Sequence, residues 1–255
     1  MNVASILDDI RFNFSTVMVY KSLSVINHQL PKYIHDEDWR QFCKFGFLKL
    51  SAFIDVAEIE KLQVEIKNVS TIFREKKTSD IEENPGNIKF KNLHKYSKVF
   101  DDFRKNKILS SIATLCCGYP KNPNVLYTFT TDGKCQNNIV AGACEKQIAS
   151  DPHVDSYKNY LKIAICMSDV STQNGPTSII PGSKSDRLLQ PIYGRLRANG
   201  RSTIVSSAVS EKLVEKYGIE ECVGNAGDIF ILNTKNLHWA GELSSGTREL
   251  LWLYY

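Results

Sequence analysis

The sequence has no apolar run approaching the roughly 18 residues that a bilayer span requires. Its N-terminus, Met1-Asn2-Val3-Ala4 leading into Asp8-Asp9-Ile10-Arg11, lacks the basic-then-apolar order of a secretory signal. These absences predict a soluble, cytoplasmic protein without membrane insertion. A dominant charge is also missing: 32 basic residues against 28 acidic ones leave a net +4, too even to select a polyanion. Lys76-Lys77 and Lys89, Lys91 and Lys95 are interspersed with Glu82, Glu83 and Asn residues, without zinc-finger spacing or an arginine-rich helix. They read as a solvated face, and no nucleic-acid partner is expected. The seven cysteines (Cys43, Cys116, Cys117, Cys135, Cys144, Cys166 and Cys222) form no repeated CxxC. That argues against a disulfide scaffold and a structural zinc site, and favours a reducing compartment. There is no internal repeat, no low-complexity tract, no His-Glu-x-x-His helix and no feature that fixes an oligomeric state.

What is present suffices for a full core: 255 residues, 42% of them apolar. We read residues 1–255 as one domain, with 1–120 a mainly helical supporting region and 121–255 most of a β core. Asp36-Glu37-Asp38 opens a short helix that Gly46 ends, and Phe45 to Leu50 follows as a strand. Asp55 can cap a helix carrying Ile59, Leu62, Ile66 and Val69 at three- and four-residue spacing. Lys76 to Lys91, with Pro85-Gly86 inside it, reads as an exposed loop. Val99, Phe100 and Phe103, then Ile108, Leu109, Ile112 and Leu115, predict a helical pair closed by Gly118 and Pro120. After residue 124 short β-prone runs dominate: 125–130, 161–167, 177–180, 202–205, 228–232 and 249–254. Many short strands with long loops between them suggest an antiparallel sandwich or barrel.

His153-Val154-Asp155 carries the first chemical signal. Residues i and i+2 of an extended strand share a face, so the imidazole and the carboxylate can meet one ion while Val154 turns to the other layer. A third ligand must come from elsewhere, and His238 follows the run Gly227 to Leu232. Two imidazoles and a carboxylate leave about three octahedral positions open, which suits non-haem Fe(II) chemistry. Zinc could use the same ligands for hydrolysis. Arg248 favours the first: alternation places it beside Leu250, Trp252 and Tyr254, a poor setting for an unpaired charge unless an anionic ligand meets it. A turn at Leu243-Ser244-Ser245-Gly246 brings the chain back from His238 to Arg248 across one mouth.

These residues, together with Leu161 to Val170, Asn174-Gly175-Pro176-Thr177-Ser178-Ile179-Ile180-Pro181-Gly182-Ser183 and Gly227 to Thr234, form an ordered series that resembles the phytanoyl-CoA dioxygenase family of Fe(II)/2-oxoglutarate-dependent oxygenases. The resemblance spans roughly residues 40 to 255. It implies an all-β core, a double-stranded β-helix or cupin-like jelly roll with packed N-terminal helices. It also implies iron held by His153, Asp155 and His238, with Arg248 on the distal carboxylate of 2-oxoglutarate and O2 as the other co-substrate. The expected activity is hydroxylation of a small or medium-sized metabolite with succinate and CO2 as co-products. Desaturation or epimerisation by the same mechanism, and a noncatalytic cupin-like binding protein, are the alternatives. Asp155 is retained where related halogenases carry a small residue, which disfavours halogenation. Lys184 stands where family members usually have His. Gln147, Tyr127, Asn138 and Lys162 are candidates for further co-substrate or substrate contacts. The loops 131–146 and 184–201 are expected to border the entrance, and Lys184, Arg187, Arg195, Arg197 and Arg201 on the second read first as loop solvation.

Overall fold

The computed structural model describes residues 34–76, 78–84, 86–117, 122–131, 151–155, 161–199 and 203–255. Helix α1 (Asp36–Phe45) leads into strand β1 (Phe47–Leu50), and α2 (Val56–Lys76) into a hairpin of β2 (Ile81–Asn84) and β3 (Asn87–Phe90). Helices α3 (Lys98–Phe103) and α4 (Lys107–Cys117) precede β4 (Asn124–Thr131), β5 (His153–Val154), β6 (Leu161–Cys166) and β7 (Thr177–Ile179). Helix α5 (Gln190–Asn199), β8 (Thr203–Ile204) and α6 (Ser207–Tyr217) come next. The chain then runs through β9 (Glu220–Glu221), β10 (Ile229–Asn233), β11 (His238–Ala240) and β12 (Thr247–Tyr254).

The strands make two sheets, a seven-stranded one ordered β1-β10-β6-β12-β4-β3-β2 and a five-stranded one ordered β8-β5-β11-β7-β9. Strict alternation divides the large sheet between two cores. Val125, Tyr127, Ile163, Ile165, Ile229, Ile231, Leu251 and Leu253 face one way and pack with Ile59, Leu62, Val69, Phe73, Phe100 and Leu109 of the N-terminal helices. Their alternates Ala164, Cys166, Phe230, Leu232 and Leu250 face Ile179 and Cys222 of the smaller sheet. Val154, Ile180 and Leu237 on the far side of that sheet are covered by Leu189, Ile192, Tyr193 and Leu213. The order is therefore helices, large sheet, small sheet, helices, and the inner faces of the two sheets are left to line a site.

Three features depart from the expectations. The fold is mixed α/β rather than all-β, and no strand pairing among the described residues joins the sheets into a closed barrel. The segment expected as a loop from 76 to 91 is instead largely the β2–β3 hairpin. Ile88 and Phe90 alternate with Asn87 and Lys89, Phe90 meets Phe73 edge-on with centroids 5.4 Å apart, and Gly86 turns the chain at φ 72°. The polar alternates hid that period from a reading based on composition. The stretch 184–201 is mostly two short 3-10 turns and α5, because Leu189, Ile192 and Tyr193 close over Val154.

Candidate active site

The triad is assembled by strand pairing. His153 on β5 is the direct partner of His238 on β11, and the rings lie with centroids 4.4 Å apart. Asp155 leaves β5 on the same side as His153, and its N–H donates to Thr234 O at 3.1 Å, tying the carboxylate to the turn before β11. All three side chains are buried. His153 Nδ1 lies 2.8 Å from Asp151 O and His238 Nδ1 lies 2.9 Å from Asn236 O. A carbonyl only accepts, so each Nδ1 carries the proton and each Nε2 presents a lone pair. Those lone pairs converge on Asp155: His153 Nε2 is 3.7 Å from Oδ1 and His238 Nε2 is 3.4 Å from Oδ2. One ligand atom from each residue lies within 4.8 Å of the others, and buried His238 Nε2 has no hydrogen-bond donor to accept from among the described residues. A divalent cation fits this donor set.

The electrostatics keep the ligands ready. Burial, reinforced by His238, pushes the His153 pKa down to about 4, so the imidazole is neutral at neutral pH. Burial alone would raise the Asp155 carboxyl, but the Lys162 ammonium and His238 together outweigh it and hold the group well below the usual carboxylate range.

Beside the triad is a cavity of about 360 Å³ whose floor is the inner face of the large sheet. Thr128 and Thr130 from β4, Lys162 from β6, and Arg248, Leu250, Trp252 and Tyr254 from β12 line it, while Thr177, Trp239 and Ala240 come from the small sheet. Arg248 is 8% exposed, and its Nε and Nη1 find no acceptor among the described residues. The nearby acid Glu249 points to the opposite face and accepts from Tyr127 OH at 2.7 Å. Burial lowers the Arg248 pKa to about 10, which leaves a full positive charge at neutral pH. A buried, charged and unsatisfied guanidinium facing a cavity is matched to a carboxylate.

The other sequence candidates divide. Lys162 reaches the triad, with Nζ 2.5 Å from Asp155 Oδ2. Tyr127 does not: it stacks on Phe90 at 6.0 Å in the helix-side core, because β4 turns Leu126, Thr128 and Thr130 toward the cavity instead. Gln147 and Asn138, with most of the loop 131–146, lie outside the described residues, as do the side chain of Arg197 and all of Arg201. Lys184 turns away from the cavity and donates to the carbonyls of Cys43 and Lys44 at 3.0 and 3.1 Å, closing the end of α1. A residue that pattern reasoning missed is Asn236. Fully buried, it donates to Phe45 O at 2.8 Å and accepts from Lys184 N–H at 2.9 Å, which locks α1 to the turn that carries His238. The only sequence cue was an amide two residues before a metal-type histidine.

The sequence profile of phytanoyl-CoA dioxygenase (PhyH) matches residues 42–250. The chain belongs to the phytanoyl-CoA dioxygenase family. Its 2-His-1-carboxylate set makes this member of the phytanoyl-CoA dioxygenase family an Fe(II)/2-oxoglutarate-dependent dioxygenase. Among solved structures it is similar to EctD from S. alaskensis with bound Fe, at 14% identity and TM-score 0.65, covering 87% of this chain and 76% of that one. HygX from Streptomyces hygroscopicus with nickel and 2-oxoglutarate bound gives 17% identity and TM-score 0.58 over 87% of this chain and 86% of that one. The epimerase SnoN with Fe3+, alpha ketoglutarate and nogalamycin RO gives 13% identity and TM-score 0.61 over 86% and 82%. At such identities the likeness establishes the shared fold. No curated protein sequence matches the chain. No helix among the described residues is long and apolar enough to cross a membrane.

Proposed function

We propose that the protein hydroxylates a small or medium-sized metabolite. A substrate C–H, 2-oxoglutarate and O2 are converted to the corresponding alcohol, succinate and CO2, with one oxygen atom in the alcohol and the other in succinate. His153, Asp155 and His238 hold Fe(II), which supplies the oxidising chemistry when bound. Arg248 holds the distal carboxylate of 2-oxoglutarate. The cavity walls, with Thr128, Trp239 and Trp252 among them, orient the metabolite and keep bulk water from the reacting atoms.

The observation that carries this reading is the Arg248 guanidinium, buried in the same cavity as the triad with two polar atoms unsatisfied among the described residues. A dicarboxylate held by the metal at one end needs such a partner at the other. The relatives lend support: EctD has been solved with 2-oxoglutarate and 5-hydroxyectoine, and HygX with nickel, 2-oxoglutarate and hygromycin B. We also read the two sheets as the halves of a double-stranded β-helix. The whole chain forms one oxygenase domain, in which the helical region before residue 120 supports the core and lends β1 and the β2–β3 hairpin to the large sheet.

The test is an anaerobic titration with Fe(II) and then 2-oxoglutarate, followed by exposure to O2 with a metabolite library under mass detection. Hydroxylation predicts Fe-dependent succinate and a product heavier by one oxygen atom. A product lighter by two hydrogen atoms, or of unchanged mass, would reassign the reaction to desaturation or epimerisation. Failure to bind 2-oxoglutarate would remove the whole reading.

A further inference from the structure

The cavity beside the triad extends across the large sheet to the β2–β3 hairpin, where Glu82, Lys89 and Lys91 line it. Ile88 and Phe90 pack into the helix-side core, so alternation turns Lys89 and Lys91 to the inner face. Glu82 bridges them, 3.0 Å from Lys89 Nζ and 2.7 Å from Lys91 Nζ. The bond from Lys91 above all, joined by Lys89, brings the Glu82 carboxyl down to about 2 against its partial burial, so it is ionised. The charges at this end of the cavity do not balance. Lys162 has Asp155 at 2.5 Å, and Arg248 meets the distal carboxylate of 2-oxoglutarate in the reading above. Glu82 is the only acid among the described residues that line the cavity, and it faces two ammoniums.

We propose that Lys89 and Lys91 form a subsite for the anionic group, a carboxylate or a phosphate, of the metabolite that the enzyme oxidises. The inference rests on the Fe(II)/2-oxoglutarate reading above, which places one carboxylate of the co-substrate at the metal and the other at Arg248 and assigns nothing to the hairpin. Each ammonium has three N–H donors, so both lysines can keep Glu82 and still donate to a second anion. Strand order sets how far that anion lies from the reacting carbon. Lys162, which touches Asp155, is on β6, and the lysine pair is three strands away beyond β12 and β4, about 14 Å at the usual spacing. The floor between them carries Leu126, Thr128, Leu250 and Trp252. Trp252 Nε1 donates to Thr128 Oγ1 at 3.2 Å, which leaves this stretch largely apolar. A metabolite with an acid at one end and an uncharged body fits these walls: the body lies over Trp252 and Leu126, and the C–H to be oxidised is remote from the acid.

The experiment titrates inorganic phosphate and, separately, acetate into protein loaded with Mn(II) and 2-oxoglutarate without O2, and reads the relaxation of the probe nuclei by Mn(II). Wild type binds at least one probe, and the tighter of the two names the anionic group. The double variant K89M/K91M binds that probe about tenfold or more weakly, the scale of a lost charge-assisted hydrogen bond, with Mn(II) and 2-oxoglutarate affinities unchanged. E82Q removes the competing carboxylate and binds the probe about threefold more tightly, the scale of a partly exposed charge pair. A bridge that only holds the hairpin together predicts the reverse, because E82Q would loosen it. The proposal is overturned if neither probe binds, or if K89M/K91M binds the probe as wild type does, the pattern of an anion held on the metal itself. It is also overturned if K89M/K91M weakens 2-oxoglutarate as much as the probe, which would give the lysines to the co-substrate. Should the double variant not fold, E82Q decides alone: tighter probe binding supports the subsite, and equal or weaker binding defeats it. If wild type binds Mn(II) but no 2-oxoglutarate, the same titration is run on the Mn(II) protein. Probe binding that depends on the two lysines then keeps the subsite while the co-substrate reading falls, and binding that does not depend on them removes both.

Discussion

His153 and His238 are directly paired across β5 and β11, each with Nδ1 bonded to the backbone carbonyl two residues before it. The same i, i−2 bond on two antiparallel strands fixes both imidazoles, tilted 50° to each other, so that the Nε2 atoms meet over Asp155. Removing either ring removes a ligand and leaves the sheet intact. His153→Ala and His238→Ala are expected to lower Fe(II) affinity by about two orders of magnitude or more, with unfolding of the metal-free protein little changed. Metal titration beside thermal unfolding checks this. A variant that retains metal at wild-type affinity would show that its histidine is not a ligand.

Arg248 gives a prediction with opposite signs for function and stability. Its buried guanidinium lacks acceptors at Nε and Nη1 among the described residues, a desolvation cost that a bound carboxylate relieves. Arg248→Met should therefore raise the KM for 2-oxoglutarate about a hundredfold, the equivalent of a lost bidentate charge-assisted pair. Without co-substrate, the same substitution should stabilise the protein by about 1 kcal/mol or more. Urea unfolding with and without 2-oxoglutarate separates the effects: the co-substrate stabilises wild type and has little effect on the variant. Equal stabilisation of both would place the distal carboxylate elsewhere.

How much of this was visible in the sequence depended on whether a residue acts through its type or through its surroundings. His153 and Asp155 at i and i+2, and Arg248 in an apolar alternation, announce themselves because metal and anion chemistry demand those side chains at that spacing. Tyr127 misled because a strand register cannot be read from composition. One step along β4 separates the cavity face of Thr128 from the core face where Tyr127 meets Phe90. The β2–β3 hairpin was hidden by its lysines and glutamates, which look like a solvated loop until Phe90 is seen against Phe73 and Glu82 and Lys89 are seen lining the cavity. Asn236 was invisible because an asparagine in a turn is ordinary, and its importance comes from carbonyls 190 or more residues away in sequence.

The low pKa of His153 makes the metal-free protein acid-sensitive in a definite window. Burial and His238 hold the folded-state value near 4, against 6.5 as the ordinary value. Between those values the unfolded chain takes up a proton that the native state refuses, so stability is full above about pH 6.5 and falls as the pH drops toward 4. The loss from this one group reaches at most about 3 kcal/mol. Asp155, held low by Lys162, adds its own loss only at still more acid pH. Urea midpoints between about pH 7 and 4.5 should decline in wild type and flatten in His153→Asn, whose amide does not titrate in this range. An equally steep decline in the variant would locate the acid sensitivity in other groups.

Asn236 tests whether the scaffold, and not the ligands alone, sets metal affinity. The side chain is fully buried, and its amide donates to the carbonyls of Phe45 and Gly46 while its oxygen accepts from Lys184 N–H. Its backbone carbonyl is the acceptor for His238 Nδ1. Gly46 itself sits at φ 69° with no room for a Cβ, which would lie 2.6 Å from the Asn236 amide nitrogen, so the two residues are fitted to each other. Asn236→Ala strips the Lys184 N–H of its acceptor and loosens the turn that aims His238. A loss of about 1–3 kcal/mol in unfolding free energy follows from the buried hydrogen bonds. A fall in metal affinity of about tenfold follows from the freer imidazole. Asn236→Asp keeps the acceptor for Lys184 but loses the donors to α1. It should therefore restore little of the stability, because a buried carboxylate facing two carbonyl oxygens is repelled by them. If Asn236→Ala lost stability yet bound metal as wild type, the His238 ring would be held by β11 pairing alone, and the link from α1 to the metal centre would have no functional weight.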